Sequence, residues 1–350
     1  MTSSKKRSTL LRADTWGHWE SVLDPRFWFN WTFQIAFAVF HHLFGKYAPK
    51  MNIIETNDLD FHYREHKALS NLNLAVPEKT IYGFLGPNGA GKSTTIRALL
   101  GLIPVGSDKV RLFGKDINRH RLEILRKTGS IIETPSSYEH LSGYKNLEIF
   151  QKILGLKKRR IEEVLEVVSL SADGGRKVNE YSLGMKQRLG IGYALISDPE
   201  LLILDEPLNG LDPGGIREVR ALLITLNREA GKTIFISSHV LSEVEKTCKV
   251  IGILNKGKLI FQGQIAELSL ELNEILIIKT DNNVLAMEGI ARLNFKSAVS
   301  EDKLEIRINS KEDVRLIVKN LVENNIAIEY LNSANNTLED KFLTMISQSG

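Results

Sequence analysis

The chain lacks several features that define common protein classes. It has a single cysteine, Cys248, which excludes an intramolecular disulfide and a zinc site built only from cysteine. One cysteine fits a reducing compartment, and we interpret Cys248 as a small, partly buried apolar residue. The formal net charge of +4, from 46 basic and 42 acidic residues, is too small to indicate nucleic-acid binding. From residue 51 onward no hydrophobic run reaches membrane-spanning length. The remaining composition, 43% hydrophobic and 25% charged over 350 residues, is that of a folded protein of roughly two domains.

Aromatic residues are concentrated in the first 50 residues. All four tryptophans lie there, and the 18 residues of Phe27–Phe44 include no Lys, Arg, Asp or Glu. Asn30, Gln34 and His41 recur at helical spacing opposite a wide aromatic face, which is typical of a helix in a membrane interface. Three interpretations of residues 1–50 stay open: a membrane-surface or partner-docking helix, a packed extension of the core, and a non-native segment before a domain that starts at Met51. The stretch lacks a secretory cleavage site, so export of the protein is not expected.

Residues 51–268 alternate short β-branched and aliphatic runs with helical patterns. This alternation predicts an α/β fold with a mainly parallel sheet covered by helices. Ile161, Val164, Leu165 and Val168 share one face of a predicted core-facing helix. Buried strands are predicted at Thr80–Leu85, Ser130–Ile132, Leu201–Leu204 and Thr233–Ser237, and a hairpin at Val250–Leu254 and Leu259–Gln262.

Residues 269–350 show a different pattern, which predicts a small α+β domain. A helix is expected around Val314–Leu321. Strands are expected at Ile275–Lys279, Lys303–Ile308 and Ile326–Leu331. No motif in this part of the chain points to chemistry.

A phosphate-binding pattern of glycine, four residues, glycine, lysine and serine follows the first buried strand. Its residues are Gly86, Pro87, Asn88, Gly89, Ala90, Gly91, Lys92 and Ser93, with Thr94 next to them. The glycines let backbone N–H groups approach a β-phosphate, and a helix from Lys92 to about Leu102 presents its N-terminus to the anion. Lys92 adds positive charge at the β/γ-phosphates, and the Ser93 hydroxyl is a candidate Mg²⁺ ligand. The segment predicts a nucleoside triphosphate site.

Two acidic residues follow the buried strand Leu201–Leu204. A carboxylate at such a position can hold Mg²⁺, and a second one just beyond it can accept a proton from the water that attacks the γ-phosphate. We therefore predict that Asp205 binds Mg²⁺ and that Glu206 is the general base.

Residues 181–188 complete a resemblance to the ATP-binding subunits of ABC transporters, which covers about residues 51–268. The segment resembles the signature motif of that family, with Leu183 in place of the first glycine and with Ser182 and Gly184 kept. The resemblance implies a P-loop NTPase fold of ABC type, with an antiparallel β part and a helical subdomain at about 134–196. It also implies that Ser182 and Gly184 contact the γ-phosphate. From the residues alone, Ser182 is equally an ordinary helix N-cap.

Further site residues follow from the same resemblance. Asp212 lies in the position of the D-loop after the catalytic acid, and His239 in that of the histidine that contacts the γ-phosphate. Tyr63, 23 residues before Gly86, is the candidate for stacking on adenine.

Glu133 departs from the family pattern, which has a glutamine that reaches Mg²⁺ after the strand ending near Ile132. A glutamate in that place resembles the subgroup of exporters that protect cells against lantibiotics and bacitracin-like peptides. A role as an alternative Mg²⁺ ligand without bearing on cargo stays open.

The resemblance implies a nucleotide-sandwich dimer, either a homodimer or a heterodimer, in which ATP and Mg²⁺ lie between Lys92 of one chain and Ser182 of the other. It implies an ATPase that energises an exporter from the cytoplasmic face of the membrane. Separate integral-membrane permease subunits would supply the pore. No nucleic-acid partner is expected. The alternatives are a soluble ABC-type ATPase acting on DNA or ribosomes, and a regulatory module that binds ATP without turnover.

Overall fold

The structure is a computed structural model that describes residues 51–132, 137–270, 274–300, 302–308, 310–335 and 338–349. The predictions for residues 1–50 and for Glu133 lie outside the described residues. Within the described ranges, no helix has the length and apolar character needed to cross a membrane.

Strands and helices alternate through most of the chain. The strands are β1 (Asn52–Thr56), β2 (Leu59–Tyr63), β3 (His66–Leu72), β4 (Ala75–Pro77), β5 (Ile81–Leu85), β6 (Val110–Leu112), β7 (Lys115–Asp116), β8 (Thr128–Ile131), β9 (Leu201–Leu204), β10 (Thr233–Ser238), β11 (Val250–Asn255), β12 (Lys258–Gln264), β13 (Glu274–Thr280), β14 (Ser297–Ser300), β15 (Lys303–Ile308) and β16 (Ile328–Asn335). The helices are α1 (Lys92–Leu99), α2 (Ile117–Arg126), α3 (Gly143–Ile153), α4 (Arg159–Val167), α5 (Leu183–Leu195), α6 (Pro213–Arg228), α7 (Leu241–Thr247), α8 (Ile265–Leu270), α9 (Asn283–Arg292), α10 (Lys311–Glu323) and α11 (Leu338–Gln348).

The central sheet has the strand order β12-β11-β5-β10-β9-β8. Its members pair in parallel except for β12, which closes the edge as the antiparallel arm of a hairpin with β11. All residues of β9 and β10 are buried. The continuous apolar sequence of β9 and the apolar run Ile234–Ile236 of β10 are explained by this position, because a central parallel strand is covered on both faces.

Two hydrophobic clusters cover the two faces of the central sheet. Leu202, Leu204 and Ile236 lie in one cluster, whereas Ile203 and Phe235 lie in the other. This alternation follows from the two-residue period of a strand. Helices α4 and α5 pack into the first cluster, and α1 and α2 into the second.

Smaller sheets flank the central one. A four-stranded antiparallel sheet has the order β4-β1-β6-β7, and β2 and β3 form a separate hairpin. Helices α3, α4 and α5 contact one another and fill much of the predicted helical subdomain, of which residues 133–136 lie outside the described residues.

The C-terminal part has its own sheet, in the order β14-β15-β13-β16, with α9 and α10 packed on it. The last helix, α11, leaves this sheet and packs on the main core. Phe342 is buried in the same cluster as Val244 of α7. The Asn255 side-chain amide donates to the Ile346 carbonyl at 3.0 Å and to the Ser349 hydroxyl at 2.8 Å. The C-terminal part is therefore joined to the central sheet by buried contacts.

The bounds of α1 differ from the prediction. The helix ends at Leu99 rather than near Leu102, because Gly101 adopts a left-handed conformation with φ of 63°. The Gly101 N–H donates to the Ala98 carbonyl and the Leu102 N–H to the Arg97 carbonyl. This pair of hydrogen bonds is the Schellman arrangement, which satisfies the last carbonyls of the helix.

Candidate functional site

The predicted phosphate loop, acidic pair and histidine lie at one edge of the central sheet. β5 leads into Gly86, β9 into Asp205, and β10 into His239. Because β10 pairs in parallel with both β5 and β9, these three carboxyl ends are adjacent. In open α/β sheets, ligands bind outside the carboxyl ends of the strands.

The phosphate loop approaches neighbouring backbone too closely for side chains at two of its glycines. A Cβ on Gly86 would lie 2.4 Å from the Leu254 carbonyl oxygen. A Cβ on Gly91 would lie 2.8 Å from the Ala68 carbonyl oxygen, and Gly91 also has a φ of 111°. The loop therefore requires glycine at both positions, and it delivers the chain to the N-terminus of α1 at Lys92.

Lys92 is buried, and its ammonium group is held by the loop and by an acid. Its Nζ donates to the carbonyl oxygens of Gly86 at 2.7 Å and Pro87 at 3.3 Å. The same Nζ lies 3.2 Å from Oε1 of Glu206. The ammonium group that is predicted to contact phosphate is thus held between the loop and Glu206.

Glu206 connects Lys92 to His239. Its second carboxylate oxygen, Oε2, lies 3.0 Å from Nδ1 of His239. An ionised carboxylate only accepts hydrogen bonds, so Nδ1 of His239 is the donor to it. The Glu206 backbone is left-handed, with a φ of 48°, a conformation uncommon for residues other than glycine.

Asp205 is buried and receives a hydrogen bond from Ser237, whose Oγ lies 2.5 Å from Oδ1 of Asp205. Asp205 and the partly buried Ser93 supply carboxylate and hydroxyl oxygens, the hard ligands that Mg²⁺ prefers. Within the described ranges, no three His, Cys, Asp or Glu side chains cluster as a metal site. Mg²⁺ in proteins is usually bound by one or two carboxylates together with water and substrate phosphate.

A cavity of about 280 Å³ brings most of the predicted nucleotide-binding residues together. It is lined by Tyr63, His66, Ala68, Asn88, Gly89, Gly91, Lys92, Ser93, Thr94 and Glu206. Tyr63 ends β2 beside the cavity, where its ring makes an edge contact with Phe61 at a centroid distance of 4.9 Å. Tyr63 is 42% exposed, so it remains a candidate for stacking on a planar ligand.

Ser182, Gly184 and Asp212 form a separate group that does not line this cavity. The Ser182 side chain caps α5 by accepting from the Met185 N–H at 3.2 Å. Asp212 caps α6 by accepting from the Gly215 N–H at 3.0 Å. The two helix starts adjoin, since a Cβ on Gly184 would lie 3.6 Å from the Gly215 Cα.

Burial raises the pKa of the Glu243 carboxyl group, on α7 just after His239. The charges of Arg220 and His239 oppose this rise, and the charge of Glu206 adds to it. Glu243 is thus a further acid close to the predicted site.

Two supports of the site were not predicted from the sequence. Ser237 lay within a predicted strand, and a hydroxyl at the end of a buried strand just before His239 was the available signal. The Gly257 N–H donates to the Ala90 carbonyl at 2.8 Å and so supports the phosphate loop. No local pattern reveals this contact, because it joins residues 167 positions apart.

Comparison with known proteins points to one family. Residues 69–209 match the family model described as ABC transporter. The bacitracin transport ATP-binding protein BcrA of Bacillus licheniformis is 43% identical over 84% of this chain and 97% of that protein. The protein of the same name from Enterococcus faecalis is 40% identical over 85% of this chain and 97% of its own length. Among solved structures, the ADP conformation of an ATP-binding cassette of an ABC transporter, MJ1267, aligns with a TM-score of 0.57 at 25% identity, over 62% of this chain and 92% of that one.

Proposed function

Because this chain belongs to the ABC transporter ATP-binding proteins, we propose that its ATPase activity energises the export of a peptide antibiotic or a similar compound through a separate membrane permease. The observation that carries the ATPase mechanism is the convergence of Lys92, Glu206 and His239 at one edge of the sheet. The names of the bacitracin transport relatives, aligned over 97% of their length, support the cargo class.

Different residues of the cavity bind different parts of ATP. Backbone N–H groups of the phosphate loop and Lys92 hold the β- and γ-phosphates, with Ser93 and Thr94 at the start of α1. Tyr63 stacks on the adenine. Lys92 then exchanges the loop carbonyls for phosphate oxygens, because a charge-assisted bond to phosphate is the stronger contact.

Hydrolysis requires a base beside the γ-phosphate. Glu206 accepts the proton of the attacking water, and His239 contacts the γ-phosphate while Nδ1 holds the Glu206 carboxylate. Ser93 and Asp205, together with Glu133, would hold Mg²⁺. Bound there, the ion neutralises the charge that develops on the phosphate oxygens.

A second copy of the chain, or a similar subunit, completes each site. Ser182, Gly184 and Asp212 are grouped at two exposed helix starts outside the cavity that Lys92 lines. In a head-to-tail pair each chain presents this group to the phosphates held by its partner. The closed pair binds ATP better than ADP, and this difference in affinity is available to move the permease.

An apolar groove is consistent with the proposed permease partner at the cytoplasmic face of the membrane. The groove, of about 730 Å³, lies beside the end of β8, and its lining includes Leu122, Phe150, Leu154 and Tyr193. Leu122 is 77% exposed. Exposed apolar patches of this kind are typical of protein interaction sites.

The substitution Glu206→Gln tests the proposed reaction. Glutamine keeps the size of the side chain and cannot accept a proton, so we expect turnover to fall about 10²–10⁴-fold with ATP binding retained. Turnover is measured as phosphate release, and ATP binding is measured by titration with a fluorescent nucleotide. Glu229→Gln, at an exposed glutamate after α6, is the matched control and should behave like the unmodified chain. Unchanged turnover in Glu206→Gln would refute the assignment of the base.

A further inference from the structure

Ser237 connects the two acidic residues of the site although it touches neither the cavity nor the exterior. It is fully buried near the end of β10, and its strand pairs in parallel with β9, which ends just before Asp205. A buried hydroxyl needs hydrogen-bond partners, and here both come from the acidic pair.

The single hydroxyl of Ser237 makes two different contacts. It donates to Oδ1 of Asp205 at 2.5 Å, and it accepts from the backbone N–H of Glu206 at 2.8 Å. A hydroxyl can do both at once because it has one donor and two acceptor lone pairs. Alanine at this position would leave the partly buried N–H of Glu206 and the buried carboxylate of Asp205 each without this partner.

The hydrogen bond from Glu206 involves a backbone in an unfavourable conformation. Glu206 has a φ of 48°, and such a conformation persists only where its surroundings fix it. The side chain that leaves this backbone reaches Lys92 with one carboxylate oxygen and His239 with the other. A change in the backbone of Glu206 would therefore move its carboxylate relative to both groups.

We propose that Ser237 is a positioning residue for ATP hydrolysis, which fixes the orientation of the Asp205 carboxylate and the backbone from which Glu206 acts. It touches no reacting atom and acts only through these two residues. This inference rests on the roles proposed for Asp205 and Glu206.

The test compares Ser237→Ala and Ser237→Cys with a matched control. Cysteine keeps the number of heavy atoms and is a poor donor and acceptor, so it serves even if alanine impairs folding. Thr233→Val is the control, because it removes another buried hydroxyl of β10, one that accepts from the Lys79 N–H at the opposite end of the strand. Each variant is assayed for kcat, for KM, for the Mg²⁺ concentration that gives half-maximal turnover, and for melting temperature. Binding of a fluorescent ATP analogue is measured without Mg²⁺.

For both Ser237 variants we expect kcat to fall about 10- to 100-fold, the scale of a misplaced catalytic group. The Mg²⁺ requirement should rise, and nucleotide binding without Mg²⁺ should stay within about twofold of the unmodified chain, because the phosphate loop is intact. Thr233→Val should have a lower melting temperature than the unmodified chain, with kcat and the Mg²⁺ requirement unchanged. Kinetic constants for both Ser237 variants within twofold of the unmodified chain, or an equal kinetic loss in Thr233→Val, would overturn the inference.

Glu206→Gln, assayed alongside, separates this inference from the proposed function. If Glu206→Gln loses turnover and the Ser237 variants do not, only the positioning role fails. If Glu206→Gln keeps full turnover, the proposed base fails first.

Discussion

Single residues in this protein hold the nucleotide site through backbone geometry. Gly257 has a φ of 76°, and a Cβ on it would lie 2.6 Å from the Ala68 carbonyl oxygen. Its N–H supports the phosphate loop at Ala90, and its carbonyl accepts from the Ser70 N–H at 2.9 Å. The hairpin turn after β11 therefore holds the phosphate loop through this contact with Ala90. A side chain at Gly257 would displace the turn from the loop.

Cys248 provides a residue-scale test of the core behind the site. It is buried, burial raises the pKa of its thiol, and its Sγ lies 3.1 Å from where a Cβ on Gly83 would stand. Because the thiolate is the reactive form, we expect a thiol reagent at pH 8 to label the native protein at least about 10³-fold more slowly than the denatured chain. Labelling of the native protein at the rate of the denatured chain would show that this packing is wrong.

Among the elements, α11 links two parts of the chain. It lies in the C-terminal part of the sequence but packs on the main core. Phe342 is 7% exposed in the cluster that also contains Val244 and Leu241 of α7, the helix after His239. Asn255 binds the end of α11 and precedes the turn that supports the phosphate loop. The helix thus contributes to the stability of the part of the chain that holds ATP.

Phe342→Ala should therefore lower the free energy of unfolding by about 3–5 kcal/mol, the usual cost of removing a buried phenyl group. Leu343→Ala is the matched control on the same helix, because Leu343 is 57% exposed and should change stability by no more than about 0.5 kcal/mol. Denaturant unfolding measures both. Equal small effects of the two substitutions would contradict the packing of α11.

The elements also show what the sequence predicts and where prediction fails. β9 and β15 have the predicted bounds Leu201–Leu204 and Lys303–Ile308, because continuous or alternating apolar residues mark a strand directly. Helices α9 and α11 were not predicted. The hydrophobic face of α11 is buried by residues from a distant part of the chain, and that partner is not visible in a local pattern.

The candidate site was also predicted only in part from the sequence. Its motifs identify Lys92, Asp205 and Glu206 locally, since each follows a recognisable buried strand. The left-handed backbone of Glu206 and its support by Ser237 depend on the pairing of β9 with β10, which no motif encodes.

At the scale of the whole molecule, the proposed function has one chain carry halves of two different sites. We propose that Lys92, Glu206 and His239, which contact one another, form the half that binds and cleaves ATP. Ser182 and Asp212, which cap two helices, would belong to the other half. In the proposed dimer, reciprocal pairing of two chains would join the halves and enclose two nucleotides. ATP would then be part of the proposed interface, and its hydrolysis would remove the contacts that hold the pair closed.

The most direct test is the molar mass of the Glu206→Gln protein, measured by light scattering with and without saturating ATP. Slowed hydrolysis should preserve the closed pair, so we expect ATP to shift the mass from one chain of 39.4 kDa to twice that value. A particle that binds ATP and keeps the mass of a single chain would contradict a site shared between two copies of this chain.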